Sequence, residues 1–185
     1  MNYRPQGFTL LPPIIKNLLI INGLMFMGTI VLKDALGFNF VEMFALYYPG
    51  SPNFMPHQLI THMFMHADFG HIFFNMFALW MFGYMLENVW GSKRFLQYYI
   101  YTGLGAALIQ LLVTYIRITV IESQMDPATV DTVLREGLGV LNRGMNYSND
   151  QMATLNAMIN APMVGASGAV FGILLAFGML FPNTQ

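Results

Sequence analysis

Apolar stretches long enough to cross a membrane dominate this sequence. A transmembrane helix needs about 20 mostly apolar residues, and four windows meet that length: 13–32, 70–89, 95–120 and 162–181. Charged residues make up 9% of the chain, against roughly 25% in a soluble domain. A soluble domain of this size cannot bury so much apolar surface, whereas a bilayer can. We therefore predict an all-α membrane protein, a polytopic helical bundle that occupies residues 1–185 as one domain.

Two long connectors separate the predicted spans. Residues 33–61 combine aromatic side chains with proline and glycine, which favours an ordered loop at the membrane surface. Residues 121–161 are the most polar part of the chain. Within them, helix-start signals predict two short helices, at about 128–141 and at about 151–159. The signals are Asp126-Pro127 for the first helix and Ser148-Asn149-Asp150 for the second.

Charge gives the predicted orientation and excludes one class of partner. The net charge is −1, so there is no electrostatic basis for nucleic-acid binding. Lysine and arginine are densest beside the start of the first span and in the short turn after the second, which predicts a cytoplasmic N-terminus with both long loops outside. These residues are Arg4, Lys16, Lys93 and Arg94. No organellar targeting segment is apparent, so we expect a bacterial inner membrane.

Polar residues that lie inside or beside an apolar span are costly and therefore mark candidate sites. All four histidines fall within residues 57–71. His71 and Asn75 are four residues apart, so a helix would place them on one face, one turn apart. Both side chains can donate hydrogen bonds. Two neutral donors that converge in a dry site suit an oxyanion hole.

Two other interpretations of this segment remain open. His71 and Asn75 can join helices through interhelical hydrogen bonds. His62 and His66 are also four residues apart and can be metal ligands on a helix face, although no acidic residue except Asp68 is close in sequence. The chain has no cysteine, which excludes thiolate ligands and a cysteine nucleophile. We predict neither a metal nor another cofactor.

The second candidate segment surrounds Ser167. Gly165 and Gly168 flank this serine, and Gly172 follows one turn later. A small residue at every fourth position lets helix backbones approach closely, so packing alone explains the pattern. The functional interpretation is a serine at a helix N-terminus, where free backbone N–H groups can stabilise an oxyanion. The two interpretations are compatible, because a nucleophile on a helix must also pack.

Taken together, these segments resemble the rhomboid family of intramembrane serine proteases. The histidine-rich segment from Thr61 to Asn75 matches the family in order and spacing. Residues 87–92 (ENVWGS) resemble the family's turn after the second span, and residues 165–168 (GASG) resemble its nucleophile motif. Each motif is weak alone, but three motifs in the expected order are strong together.

The resemblance implies a role for each candidate residue. Ser167 would be the nucleophile, and His71 and Asn75 would bind the oxyanion. Gly165 and Gly168 would leave room around the nucleophile. The remaining residues would have supporting roles, with His66 and Glu87 as structural hydrogen-bonding groups and Phe171 as an aromatic side chain that packs near the base. The implied activity is endopeptidase cleavage of transmembrane protein substrates within the lipid bilayer.

Two departures from the family pattern matter. The family often carries a Trp-Arg pair before the histidine segment, where this chain has His57-Gln58. Rhomboids also use a Ser-His dyad whose histidine lies on a sixth span, and this sequence has no histidine after His71. We therefore expect a fragment of a longer protease, with four of six helices. The alternative is a non-catalytic rhomboid-like protein that binds transmembrane helices.

Overall fold

The computed structural model describes residues 8–182, so the predicted orientation signal Arg4 and the chain end at 183–185 lie outside it. The described residues form helices with a single isolated β-bridge. The main helices are α1 (Pro13–Leu36), α4 (Phe69–Trp90), α5 (Ser92–Glu122) and α8 (Ser167–Leu180). The shorter helices are α2 (Phe40–Phe44), α3 (Gln58–Thr61), a 3₁₀ turn (His62–Phe64), α6 (Pro127–Asn142) and α7 (Asp150–Asn160).

The predicted all-α membrane fold is confirmed, whereas the predicted count of four spans is not confirmed. Within the described residues, three helical segments are long and apolar enough to cross a membrane: Pro13–Lys33, Phe69–Trp90 and Ser92–Glu122. The fourth predicted window, 162–181, yields only the 14-residue apolar helix α8. Its first residues are not helical because Met163 pairs with Leu46 through two backbone hydrogen bonds of 2.8 and 2.9 Å.

Both predicted short helices are present, and their caps explain where they begin. The Asp126 side chain accepts hydrogen bonds from the backbone of the first turn of α6, with Pro127 at the first helical position. The Asn149 side chain does the same for α7. Such caps satisfy N–H groups that have no acceptor inside the helix.

The core lies where α8 packs between α4 and α5, with α1 against α4. Small residues bring α8 close to α5. A Cβ atom added to Gly168 would lie 2.5 Å from Cβ of Ala106, and one added to Gly172 would lie 2.6 Å from Cβ of Thr102. The packing interpretation of the glycine pattern is therefore correct for this face of α8, which fixes the height and rotation of the helix that begins with Ser167.

Candidate active site

Ser167 is the first residue of α8, at the point where an extended segment turns into the helix. As the first helical residue it has a backbone N–H that no carbonyl within the helix accepts. The preceding segment is held from two sides. Met163 pairs with Leu46 of the first loop, and the Gly165 N–H donates to the His62 carbonyl at 3.0 Å. The chain before the serine is thus tied to both the first loop and the histidine-rich segment.

Gly165 allows the His71 ring to approach this segment. Its φ is +127°, a conformation that side chains rarely adopt. A Cβ atom built there would lie 2.8 Å from Nε2 of His71 and 3.5 Å from Oγ of Ser167. Any side chain at 165 would therefore fill the space between the histidine and the serine. The predicted role of Gly165, to keep space open beside the nucleophile, is consistent with this geometry.

A cavity of about 490 Å³ joins the predicted site residues. Ser167 and Phe171 line it from α8, and His71 and Asn75 line it from α4. Phe171 is 70% exposed and forms one wall of the cavity. The structure therefore brings together four of the residues that the sequence singled out, although α4 and α8 are far apart in the chain.

The hydrogen bonds of His71 favour a donor role. Asp68 caps α4 by accepting from the His71 backbone N–H at 2.8 Å, which fixes where the helix begins. The Nδ1 atom of His71 accepts a long, 3.5 Å bond from the Ala67 N–H. When Nδ1 accepts, Nε2, the nitrogen beside Gly165, carries the ring proton and can donate it to a negatively charged oxygen.

Asn75 is buried and aligned by its own helix. One proton of its amide is donated to the His71 backbone carbonyl at 2.8 Å. The second amide proton is free to point into the cavity, because an amide nitrogen carries two. His71 and Asn75 therefore present two neutral donors at the same cavity as Ser167.

His66 supports His71 in a different way from the one predicted. Within the described residues its ring nitrogens have no hydrogen-bond partner, because the buried ring packs edge-to-face against His71 with centroids 5.0 Å apart. Burial, and then the neighbouring His71, lowers the pKa of His66 to about 4. A neutral His66 at pH 7 follows. Over residues 8–182 we find no group of three or more histidine or acidic side chains arranged to hold a metal ion.

Glu87 forms the structural hydrogen bonds that were predicted for it. This buried carboxylate accepts from the backbone N–H groups of Ile14 and Ile15 at 3.0 and 2.9 Å, and from the Ser92 hydroxyl at 2.6 Å. It therefore caps α1 from α4 and fixes the start of α5. Its position is at the far end of α4 from His71, so its contribution to the site is architectural.

Sequence analysis missed the polar residues that hold the two loops. Gln58 is fully buried and bonds to four backbone groups of the first loop, donating to Glu42 and Asn53 and accepting from Tyr47 and Met55. The place of the family's Trp-Arg pair is thus taken by a residue that does anchor the loop.

Asparagines join the second loop to the first. Asn160 accepts from the Ser51 hydroxyl at 2.9 Å and donates to Asn156 at 2.9 Å, and Asn156 donates to the Gly137 carbonyl of α6. The spacing of Asn156 and Asn160, four apart on a helix, was the available signal. Their distant partners could not be read from that spacing.

Comparison with known proteins identifies the family. The sequence profile of the Rhomboid domain matches residues 53–121. Rhomboid protein 1, mitochondrial, of Saccharomyces cerevisiae is 27% identical over 128 residues, which cover 69% of this chain and 26% of that protein. Both matches support a rhomboid-family protein. A further rhomboid relative, Rhomboid-like protein 11, chloroplastic, of Arabidopsis thaliana, is 37% identical over 57 residues, or 31% of this chain and 20% of that protein.

The family profile covers the α4 side of the site but not the α8 side. The Rhomboid domain profile covers the histidine-rich segment, α4 and α5, and ends before α8 and Ser167. The chain also spans only 26% and 20% of the two rhomboid relatives. The matches therefore support the rhomboid family and the helical membrane fold, and a role for Ser167 is argued from the geometry of this site.

Proposed function

We propose that this rhomboid is the core of an intramembrane serine endopeptidase that cleaves transmembrane protein substrates. The observation that carries the proposal is the single cavity shared by Ser167, His71 and Asn75. A hydroxyl at a helix N-terminus faces two neutral donors across a space that only a glycine at 165 leaves open. Helix packing alone has no need of this combination.

In this reaction Oγ of Ser167 attacks the scissile carbonyl as its proton passes to a general base. The negative charge on the former carbonyl oxygen is stabilised by the Ser167 backbone N–H, His71 and Asn75. The tetrahedral intermediate expels the amine, which takes up the proton from the base, and water then hydrolyses the acyl-enzyme. By family resemblance the base is a histidine on a later span, so the proposal concerns the complete protein in which such a span follows.

The proposed orientation follows from the distribution of lysine and arginine along the sequence. We propose a bacterial inner membrane with the N-terminus of the protein in the cytoplasm. Ser167 and the start of α4 then lie toward the outer side, because α1 ends where α4 begins. A substrate helix would reach the site from the bilayer and unwind locally to present its backbone.

The test is a pair of serine substitutions in the complete protein. Ser167→Ala should abolish cleavage of a transmembrane reporter substrate and labelling by a fluorophosphonate, with unchanged thermal unfolding. The matched control is Ser123→Ala, which removes an exposed hydroxyl at the end of α5 and should leave both signals at wild-type levels. Cleavage that persists in Ser167→Ala would refute the assignment.

A second candidate function is non-catalytic binding of transmembrane helices. One observation favours it: within the described residues α8 presents a large apolar face, since Phe171, Leu175 and Met179 are 70%, 63% and 74% exposed. Fluorophosphonate labelling separates the two functions. A helix-binding protein should show no labelling at Ser167, whereas a protease should be labelled and should lose its label in Ser167→Ala.

A further inference from the structure

A wholly apolar cavity of about 680 Å³ lies between α1 and α4, away from Ser167. It follows α1 from Leu19 to Ile30 and α4 from Phe69 to Trp80. At 1.5 Å per residue these stretches are about 16 Å long, or about half of the 30 Å hydrocarbon core of a bilayer. The cavity therefore has the length of one membrane leaflet.

The lining of this cavity favours a hydrocarbon chain as its occupant. Its surface is wholly apolar, so a lipid chain finds contacts there without any polar group to desolvate. A phospholipid also carries a charged headgroup at the membrane surface, so the polar side chains at that end of α1 distinguish a lipid from an apolar helix.

A second cavity, of about 690 Å³, lies at the end of α1, and one positive and one negative side chain line it among the residues whose side chains the structure describes. Lys33 lines it from α1, and Glu42 lines it from α2. The described residues show no ion pair between these two side chains. Instead, Asn39 donates to Oε1 of Glu42 at 2.8 Å and holds the carboxylate in place. Asn53 adds a further polar group to the wall.

The two cavities follow one another along a single face of α1. The α1 residues that line the apolar cavity include Gly23 and Ile30, and those that line the polar one include Lys33 and Gly37. Steps of three, four and seven residues return to the same helix face. Lys33 also ends the apolar segment of α1, so the polar cavity is at the depth of lipid headgroups.

We propose that the two cavities form one site for a zwitterionic phospholipid with a primary amine, of the phosphatidylethanolamine type. One acyl chain occupies the space between α1 and α4. The phosphate pairs with the Lys33 ammonium, and the headgroup ammonium pairs with the Glu42 carboxylate. An anionic headgroup lacking an amine would meet the Glu42 charge without compensation. The site faces the leaflet on the same side of the membrane as Ser167.

The first experiment measures lipid retention by native mass spectrometry of the purified full chain in detergent. Dioleoyl phosphatidylethanolamine should bind about tenfold more tightly than dioleoyl phosphatidylglycerol, because one charge-assisted hydrogen bond is gained and one repulsion avoided. Soluble glycerophosphoethanolamine tests whether the headgroup alone suffices. Its failure to compete supports the joined site, and competition at the affinity of the intact lipid would overturn it.

Variants then test each half of the site. Gly23→Leu should fill the apolar cavity and abolish lipid retention, since a Cβ at 23 meets no atom within 4 Å and the fold has room for the side chain. Gly105→Leu on α5 is the matched control, with the same open surroundings but outside this cavity. Equal retention by Gly23→Leu and wild type would overturn the acyl-chain site.

Substitutions that change charge test the part of the site that binds the headgroup. Lys33→Gln and Glu42→Gln should each weaken phosphatidylethanolamine binding about tenfold, while Lys93→Gln, an exposed lysine at the other end of the bundle, should not. Glu42→Lys should reverse the preference in favour of phosphatidylglycerol. Unchanged headgroup preference in Glu42→Lys would overturn the assignment of the amine to Glu42.

Discussion

Two helix contacts in this structure are built in opposite ways: the contact between α5 and α8, and the contact between α1 and α4. The contact between α5 and α8 is tight at Gly168 and Gly172, because these glycines let Ala106 and Thr102 approach. The contact between α1 and α4 is tight only where α1 begins and opens into a cavity of about 680 Å³ toward its other end. Small residues therefore fix the helix that carries Ser167, whereas the apolar residues between α1 and α4 leave an open space.

Polar groups add to the close packing at the end of the α1–α4 contact where α1 begins. Glu87 caps α1 through Ile14 and Ile15, and the Trp80 indole donates to the Leu10 carbonyl at 3.1 Å. Such hydrogen bonds hold well where water is scarce, since the alternative is an unsatisfied group. The hydrogen bonds of Glu87 to α1, here called the clamp, thus hold the packed end of α1 in place.

The largest effect is expected when this clamp is removed. Glu87→Ala leaves the N–H groups of Ile14 and Ile15 without their acceptor, so the free energy of unfolding should fall by about 3–5 kcal/mol. Thermal unfolding in detergent measures the loss. Glu87→Gln keeps one acceptor oxygen and should lose less. If Glu87→Ala unfolds like wild type, the clamp does not hold α1. The α1–α4 contact would then not depend on hydrogen bonds, contrary to the comparison made above.

A smaller loss is expected at the tight contact. Gly168→Val forces a side chain against Ala106 and should lower the free energy of unfolding by about 1–3 kcal/mol, as overpacking does. Gly105→Val is the matched control, because a Cβ there meets nothing within 4 Å. The same melting measurement compares them. Equal stability of the two variants would show that α8 does not depend on the close approach.

The smallest effect on stability is expected at the open end of the other contact. Gly23→Leu enters empty space and improves helix propensity, so stability in lipid-free detergent should stay level or rise by up to about 1 kcal/mol. Gly105→Leu should behave in the same way. A clear destabilisation specific to Gly23→Leu would mean that α1 and α4 close further than described.

Sequence patterns predicted the helices whose signals are local. They did not predict the conformation of segments that contact distant parts of the chain. Apolar length predicted α1, α4 and α5, and the capping residues Asp126 and Asn149 located the short helices, because each signal is local. The fourth predicted window, 162–181, is not helical over its first five residues. Its apolar pattern continues through 162–166, but backbone bonds to Leu46 and His62 hold that stretch extended.

The candidate site also combines residues that a local pattern reveals with residues whose roles depend on distant partners. His71, Asn75 and Ser167 could be selected because polar residues in apolar spans are rare. The roles of Gln58, Asn156 and Asn160 depend on partners elsewhere in the chain, and their amide side chains are common in ordinary loops. His66 had the right location in the sequence, but its ring packing on His71 depends on three-dimensional burial that no local pattern encodes.

The pairing of Leu46 with Met163 has a consequence for biosynthesis. A chain is made from its N-terminus onward. Leu46 in the first loop therefore has no pairing partner until more than a hundred further residues have been synthesised. The bond from Ser51 to Asn160 must wait as well. The surroundings of Ser167 are therefore assembled last among the described segments. A nascent chain that stalls after α5 contains His71 and Asn75 but not yet the residue that faces them, Ser167.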